Sequence, residues 1–296
     1  MIGLKRGAVR LCPHEKQWEI LAAETIDTLK TLLGGVCVAA EHVGSTSIRH
    51  ICAKPILDIA VAVDSFDAVK ECIPLLEQHG FYYREDRMAD QLLFACGSIY
   101  DGSGDEQTHF IHVVLKDSEQ WWDYIRFRDY MNAHPADAAR YEALKKQLAA
   151  AHPDNREAYT GGKSAFIKRM LARALAWSYL GTCLTVTVDR PKGYVHKGSI
   201  YPIPYGFLPG VLGGDGEELD AYLLGFSPEP AINDTVTGTV IAVVYRADDV
   251  EDKLVLAPTD MSFTEEEIRH AVAFREQYYH TSIETFSREG KKELHS

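Results

Sequence analysis

Residues 201–222, YPIPYGFLPGVLGGDGEELDAY, constrain this chain more than any other stretch, because they set Asp215, Glu217 and Asp220 behind a glycine-rich turn and a Tyr/Pro-rich run. Carboxylates at this density repel one another unless a multivalent cation sits among them. Hard divalent cations such as Mg²⁺ take oxygen ligands of this kind and share them with substrate phosphates. In an extended strand Asp215 and Glu217 share a face, whereas Asp220 falls on the opposite one. The three converge only if the backbone bends. Gly213, Gly214 and Gly216 supply that freedom, since glycine enters φ > 0 cheaply. The plainer reading is a hairpin turn at Asp215-Gly216 with its acids in water.

At 296 residues the chain exceeds a typical single domain, so two domains are expected. Its charge is unevenly placed: net −9 from Gly181 onward and −3 before it. Nucleic acid is a poor fit as a partner, because phosphate backbones need a basic footprint. A polyanionic small molecule fits only where metal ions reverse the local sign. The six cysteines form no CxxC pair and sit mostly in apolar runs, the pattern of buried free thiols in a reducing compartment. No apolar stretch has signal-peptide or membrane-spanning length, so the expectation is a cytoplasmic protein without a membrane partner.

The first part mixes helical and strand patterns. Glu15–Leu33 reads as an amphipathic helix, Ile56–Val63 as a buried strand, Phe66–His79 as a helix and His109–Leu115 as a strand. Three helical stretches follow, Ser118–Met131, Ala136–Ala151 and Arg156–Trp177. Such an order implies helices covering a sheet. After Ser178 the pattern changes. Leu184, Val186 and Val188 alternate on one strand face, Val236–Arg246 and Lys253–Ala257 are further strands, and Thr264 opens a helix through a Thr-x-x-Glu capping box with Glu267. Short strands closed by a helix suggest a small barrel. The boundary falls near Tyr179–Thr182, giving domains 1–178 and 181–296.

The acidic segment resembles the signature of the soluble family I inorganic pyrophosphatases. That family reads Asp-Gly-Asp-x-x-Asp where this chain has Asp215-Gly216-Glu217-Glu218-Leu219-Asp220, and Tyr201-Pro202-x-x-Tyr205-Gly206 is similar to its tyrosine-bearing strand. Val186–Gly193 resembles the opening strand, Asp248–Val255 the second acidic cluster, and Phe274–Tyr279 the terminal helix, so the resemblance covers Thr182–Ile283. It implies metal ligands at Asp215, Asp220, Asp248 and Glu251, with Asp252 replacing Glu251 in a slipped register. It also implies catalytic roles for Asp220 and for Glu217 as base, phosphate contacts from Tyr205, Lys253, Tyr278 and Lys192, and Mg²⁺ or Mn²⁺ as cofactor. The chemistry is coherent: divalent ions neutralise a compact polyanion and acidify bound water, a carboxylate takes the proton, and cations stabilise the departing phosphate. Two departures stand out. The segment between Asp189 and Tyr201 is shorter than the family's, leaving Lys192, His196 and Lys197 to replace its cations, and Tyr279 occupies the place of a terminal lysine. Read without the resemblance, Lys253 is a solvated strand start and Asp248–Asp252 an acidic hairpin loop.

Glu41-His42-Val43-Gly44-Ser45-Thr46-Ser47, followed by Lys54-Pro55-Ile56-Leu57-Asp58-Ile59, resembles the GrpB-like family, which is related to the nucleotidyltransferase fold. The resemblance covers Val9–Trp177, including Phe127-Arg128-Asp129-Tyr130 and Tyr159-Thr160-x-x-Lys163. Active nucleotidyltransferases place two carboxylates at i and i+2 of one strand face to hold Mg²⁺. Here Ala60 takes the second place, so Asp58 either serves a ligand site without that metal or is a structural acceptor pairing with Lys54 or capping a turn. His109 and His112, three apart, do not share a strand face. Gly161-Gly162-Lys163-Ser164 lacks the strand and first glycine of a phosphate loop and reads as a glycine-interrupted helix. Trp121 and Trp122 read as core.

The sequence therefore specifies an α+β chain: an N-terminal mixed sheet with helices, nucleotidyltransferase-like, then a small pyrophosphatase-like β-barrel with a terminal helix. Its leading function is Mg²⁺-dependent hydrolysis of pyrophosphate, a small-molecule substrate, to two phosphates. Two alternatives stand beside it: a catalytically weakened binding module for metal and a phosphorylated ligand, and an N-terminal nucleotidyltransferase whose pyrophosphate product the barrel removes. A homo-oligomer is compatible with everything above.

Overall fold

The computed structural model describes residues 2–85, 90–196 and 198–287. Contacts divide the chain into two compact units, Met1–Ile167 and Lys168–Ser296. The division falls inside the helix Ser164–Ser178 rather than at the expected Tyr179–Thr182. Arg169 forks onto Asp252, and the Trp177 indole donates to Glu284 at 3.1 Å, so the later turns of this helix are bonded to the second unit's strands. The expected helix over Arg156–Trp177 is broken in two, Arg156–Gly161 and Ser164–Ser178, at the glycines read as an interruption.

The first unit is a five-stranded mixed sheet in the order Cys37–Val43, Leu57–Val63, His109–Leu115, Leu92–Cys96 and Tyr82–Tyr83. Leu57–Val63 and His109–Leu115 run parallel, and the other neighbours are antiparallel. Alternation along Leu57–Val63 serves two cores. Ile59, Val61 and Val63 pack with Trp18, Leu29, Val69 and Leu76 of the helices Gln17–Leu33 and Phe66–Gln78. Ala60 and Ala62 face Trp121 of the helix Glu119–Ala133. A strand covered on both faces reads as the apolar run seen in the sequence. Trp121 is core as expected, whereas Trp122 is exposed.

In the second unit five strands close a barrel: Lys253–Ala257, Glu218–Leu223, Tyr205–Leu212, Cys183–Arg190 and Thr235–Arg246, which returns to Lys253–Ala257. Thr235–Arg246 has 12 residues and a register shift between Val240 and Ala242, so it serves Cys183–Arg190 with one half and Lys253–Ala257 with the other. Irregularities of this kind let a sheet curl into closure. Thr281–Thr285 adds to the same strand, and the capped helix Glu265–Glu276 contributes Ile268 and Val272 to a core with Tyr201, Tyr205, Tyr222 and Val255. The strands Tyr205–Leu212 and Cys183–Arg190 leave no room at Gly206, where an added Cβ would lie 2.1 Å from the Thr187 carbonyl oxygen. Gly206→Ala is therefore expected to destabilise the barrel by about 1–3 kcal/mol, read as a lower urea midpoint.

All six cysteines are free, but none is buried; five are half-buried and Cys183 is exposed. No helix among the described residues is long and apolar enough to cross a membrane.

Candidate functional site

One mouth of the barrel gathers charge. The parallel register that sets Ala221 opposite Leu254 puts Asp220 beside Lys253. The Lys253 side chain is only 3% exposed, and its Nζ reaches Asp220 Oδ2 at 2.5 Å and also pairs with Glu251. The Tyr205 hydroxyl donates to the same Asp220 oxygen. Burial and the Asp220 charge push the Tyr205 phenol far up, so it remains a neutral donor. Asp220 and Glu251 share a hydrogen bond and behave as a pair. Burial and that bond raise the Glu251 carboxyl to about 7. Burial works against the Asp220 charge, but the bonds from Glu251, Lys253 and Tyr205 outweigh it and hold that carboxyl below its ordinary value. Lys253 and Arg246 both reach Glu251 and work against its rise.

Two residues that the sequence reading left unassigned belong here. Arg190 lies 4.9 Å from the Tyr205 ring centroid and 5.4 Å from that of Tyr201, and it donates to the Tyr201 hydroxyl at 2.7 Å. Its neighbour Asp189 keeps Oδ1 buried without a hydrogen-bond partner. Burial pushes the Asp189 carboxyl up, and the Asp220 charge adds to that. A signal for Arg190 was present: Leu184, Val186 and Val188 alternate inward, and Arg190 continues the series.

The other expected residues lie elsewhere. Asp215 and Glu217 are exposed, and Asp215 Oδ1 accepts the Glu217 backbone N–H at 3.0 Å, with Gly216 at φ 91°. This is the hairpin-type turn of the plainer reading, and it does not bring these two acids to Asp220. Asp248 is exposed and holds His280 through its backbone N–H and its ring, both at 3.0 Å, fixing the entry to Thr281–Thr285. Lys192 pairs with Glu229 in solvent. Tyr278 is 69% exposed. Asp252, the slipped-register alternative, is buried and taken up by the Arg169 fork at 2.7 and 2.8 Å. The His196 charge acts on Asp189, and Lys197 lies outside the described residues. Tyr279 packs its ring 3.8 Å from the Arg246 guanidinium.

No group of three or more His, Cys, Asp or Glu among the described residues is disposed to hold a metal. Asp189 and Asp220 are the carboxylates whose chemistry fits a cation best, because Asp189 keeps an orphaned oxygen and feels the Asp220 charge.

In the first unit, Gly44 turns at φ 69°, and a Cβ there would meet Asp58 Oδ2 at 2.5 Å. Asp58 pairs with His112 Nε2 at 3.2 Å rather than with Lys54. Ala60 is fully buried against Val43, Val114 and Trp121. The place of a second carboxylate is apolar core, so the two-carboxylate metal site of a nucleotidyltransferase is not assembled. Arg128 instead bonds Glu41 at 2.7 Å and the His42 carbonyl at 3.1 Å, tying the helix Glu119–Ala133 to the strand before the Gly44 turn.

These features define an α+β protein whose first unit presents a Gly-Ser turn against a mixed sheet and whose second is a polar-mouthed barrel. Residues 8–173, more than half of the chain, match the sequence model of the GrpB protein family, and the chain belongs to that family. The glutamate-rich protein GrpB of Alkalihalophilus pseudofirmus is 35% identical over 173 residues, which are 58% of this chain and 98% of that protein. The crystal structure of conserved protein GrpB from Enterococcus faecalis matches with TM-score 0.53 at 32% identity, covering 57% of this chain and 99% of that one. An inorganic pyrophosphatase from Ehrlichia chaffeensis is similar over the C-terminal part, with TM-score 0.31 at 13% identity, covering 36% of this chain and 88% of that one.

Proposed function

We propose that the barrel binds a divalent cation together with a diphosphate at its charged mouth and hydrolyses inorganic pyrophosphate to two phosphates. The observation that carries this reading is the convergence of Tyr205, Asp220, Glu251 and Lys253, four of the residues expected from sequence, on one cluster. Mg²⁺ or Mn²⁺ would be held by Asp220 and Asp189, and when bound it supplies charge neutralisation and a more acidic water. Arg190 and Lys253 would bring positive charge to phosphate oxygens, and the Tyr205 hydroxyl, on leaving Asp220, would donate to them. Glu251, raised to about 7, holds or releases a carboxyl proton near neutral pH, the property of a general acid–base group.

A second reading is favoured by a different observation. Lys253 already neutralises Asp220 and Glu251 from within, and Glu217, the expected base, sits in an exposed turn. Both features suit a site that binds a phosphorylated ligand without turning it over. Phosphate release and pyrophosphate binding, measured on the same protein with and without Mg²⁺, separate the two. Under either reading Mg²⁺ stabilises the barrel by linkage, by about 2.7 kcal/mol at a hundredfold excess over its dissociation constant. Identical melting curves in Mg²⁺ and in chelator would remove the cation from both.

A further inference from the structure

The first unit holds a cavity of about 180 Å³ between the Gly44-Ser45 turn and the helix Arg156–Gly161. Its wall carries three cations, Lys54, Arg156 and Lys163, against one carboxylate, Asp58, which is already paired with His112. The Lys54 and Lys163 ammonium groups stand 5.1 and 4.7 Å from the centroid of the same Tyr159 ring. Neither donates a hydrogen bond to a protein group among the described residues. Arg156 is held in place by Gln107 Oε1 at 2.5 Å and by the Phe110 ring. Burial and the neighbouring cations lower the Lys54 ammonium to about 7, and burial also lowers Lys163. The two lysines share one counter-charge, Asp58, which His112 also takes, so they are short of negative charge. A bound anion supplies it, because opposite charge nearby favours the ionised lysine.

The cavity is smaller than the roughly 300 Å³ at which pockets for drug-sized ligands begin, so it takes a head group rather than a whole nucleotide. Ser45 and Thr160 add hydroxyl donors to its wall. With Ala60 in the core, nothing here calls for a metal.

We propose that this cavity is a metal-independent site for a phosphate dianion, either free or as the terminal group of a small phosphomonoester, held by Lys54, Arg156 and Lys163. Anion binding here does not depend on the barrel's activity.

Calorimetric titration of the full chain in chelator tests it, with inorganic phosphate in one arm and glycerol phosphate in the other. Heat in the phosphate arm alone identifies the free ion as ligand, and heat in the glycerol phosphate arm identifies the monoester. Lys163→Met and Lys54→Met should each weaken binding about ten- to a hundredfold, the loss of one charge-assisted bond. Both should also raise the melting temperature of the ligand-free protein, because each removes a repelled charge; a damaged fold would lower it. Lys163→Arg should keep most of the affinity. Asp58→Asn should leave binding intact or strengthen it, the reverse of what a metal-held nucleotide site requires. No heat in either arm overturns the proposal. So does binding that survives both lysine substitutions, or binding lost in Lys253→Met, which would place the anion at the barrel mouth.

Discussion

Asp220→Asn is expected to lower Mg²⁺-dependent pyrophosphate hydrolysis by about 10²-fold or more, beyond what loss of a mere supporting group costs. The substitution nearly keeps shape but removes the charge on which Tyr205, Lys253 and Glu251 all converge. It strips a donor from the cation set and alters the bond with Asp220 that raises the Glu251 carboxyl. Glu217→Gln is the matching control. A positioned base contributes roughly 10²–10⁴-fold, but Glu217 lies in an exposed turn, where its backbone N–H donates to Asp215 and its carbonyl accepts from Gly213. Its substitution should therefore cost at least about tenfold less than Asp220→Asn. Phosphate release from the parent and both variants decides. If Glu217→Gln proves the more damaging, the turn closes onto the mouth during turnover and the Asp220–Glu251 pair is not the acid–base group. If the parent releases no phosphate yet binds pyrophosphate in Mg²⁺, and Asp220→Asn abolishes that binding, the barrel is a binding module.

Periodicity made the frame of both units legible. The apolar run at Leu57–Val63, the alternation after Thr182 and the capping box at Thr264 each encode local geometry in residue type. Short or polar strands escaped. Cys37–Val43 holds Glu41 and His42 among its apolar residues, and Glu218–Leu223 begins inside the acidic segment that looked like loop. The site was legible only where strand register enforces it: Asp220 and Lys253 are neighbours because their strands pair in parallel. Asp215 and Asp248 matched a pattern of letters, but a turn amide takes the first, and His280, 32 residues on, takes the second. The missed residues share a logic. Arg190 ends the inward series Leu184-Val186-Val188, Arg246 ends Val240-Ala242-Val244, and Glu276 extends the helical stripe Ile268-Val272. A charged residue at the end of an inward-facing series caps the core, and its partners come from other strands, which one sequence does not display.

Arg246→Met is expected to destabilise the barrel by about 3–5 kcal/mol, the usual consequence of breaking a buried ion pair from one side. The Arg246 side chain is 2% exposed and grips both Glu276 oxygens, at 2.7 and 2.9 Å, while its Nη1 reaches Asp249 at 3.0 Å and Glu251 at 3.3 Å. Glu276 is equally buried, and its other resolved partner is the Tyr222 hydroxyl at 2.5 Å. Methionine fills most of the arginine's apolar volume, so the loss reflects the stranded Glu276 charge rather than a cavity. Replacing both partners, Arg246→Met with Glu276→Leu, should recover most of it, because a buried pair exchanged for apolar residues is often close to neutral. Urea unfolding followed by near-UV circular dichroism, to which the tyrosine-rich barrel core contributes, measures both. A double variant as unstable as the single would mean that Arg246 acts through Asp249 and Glu251. The arginine would then be a support of the charged mouth, and Arg246→Met should weaken Mg²⁺ binding along with stability.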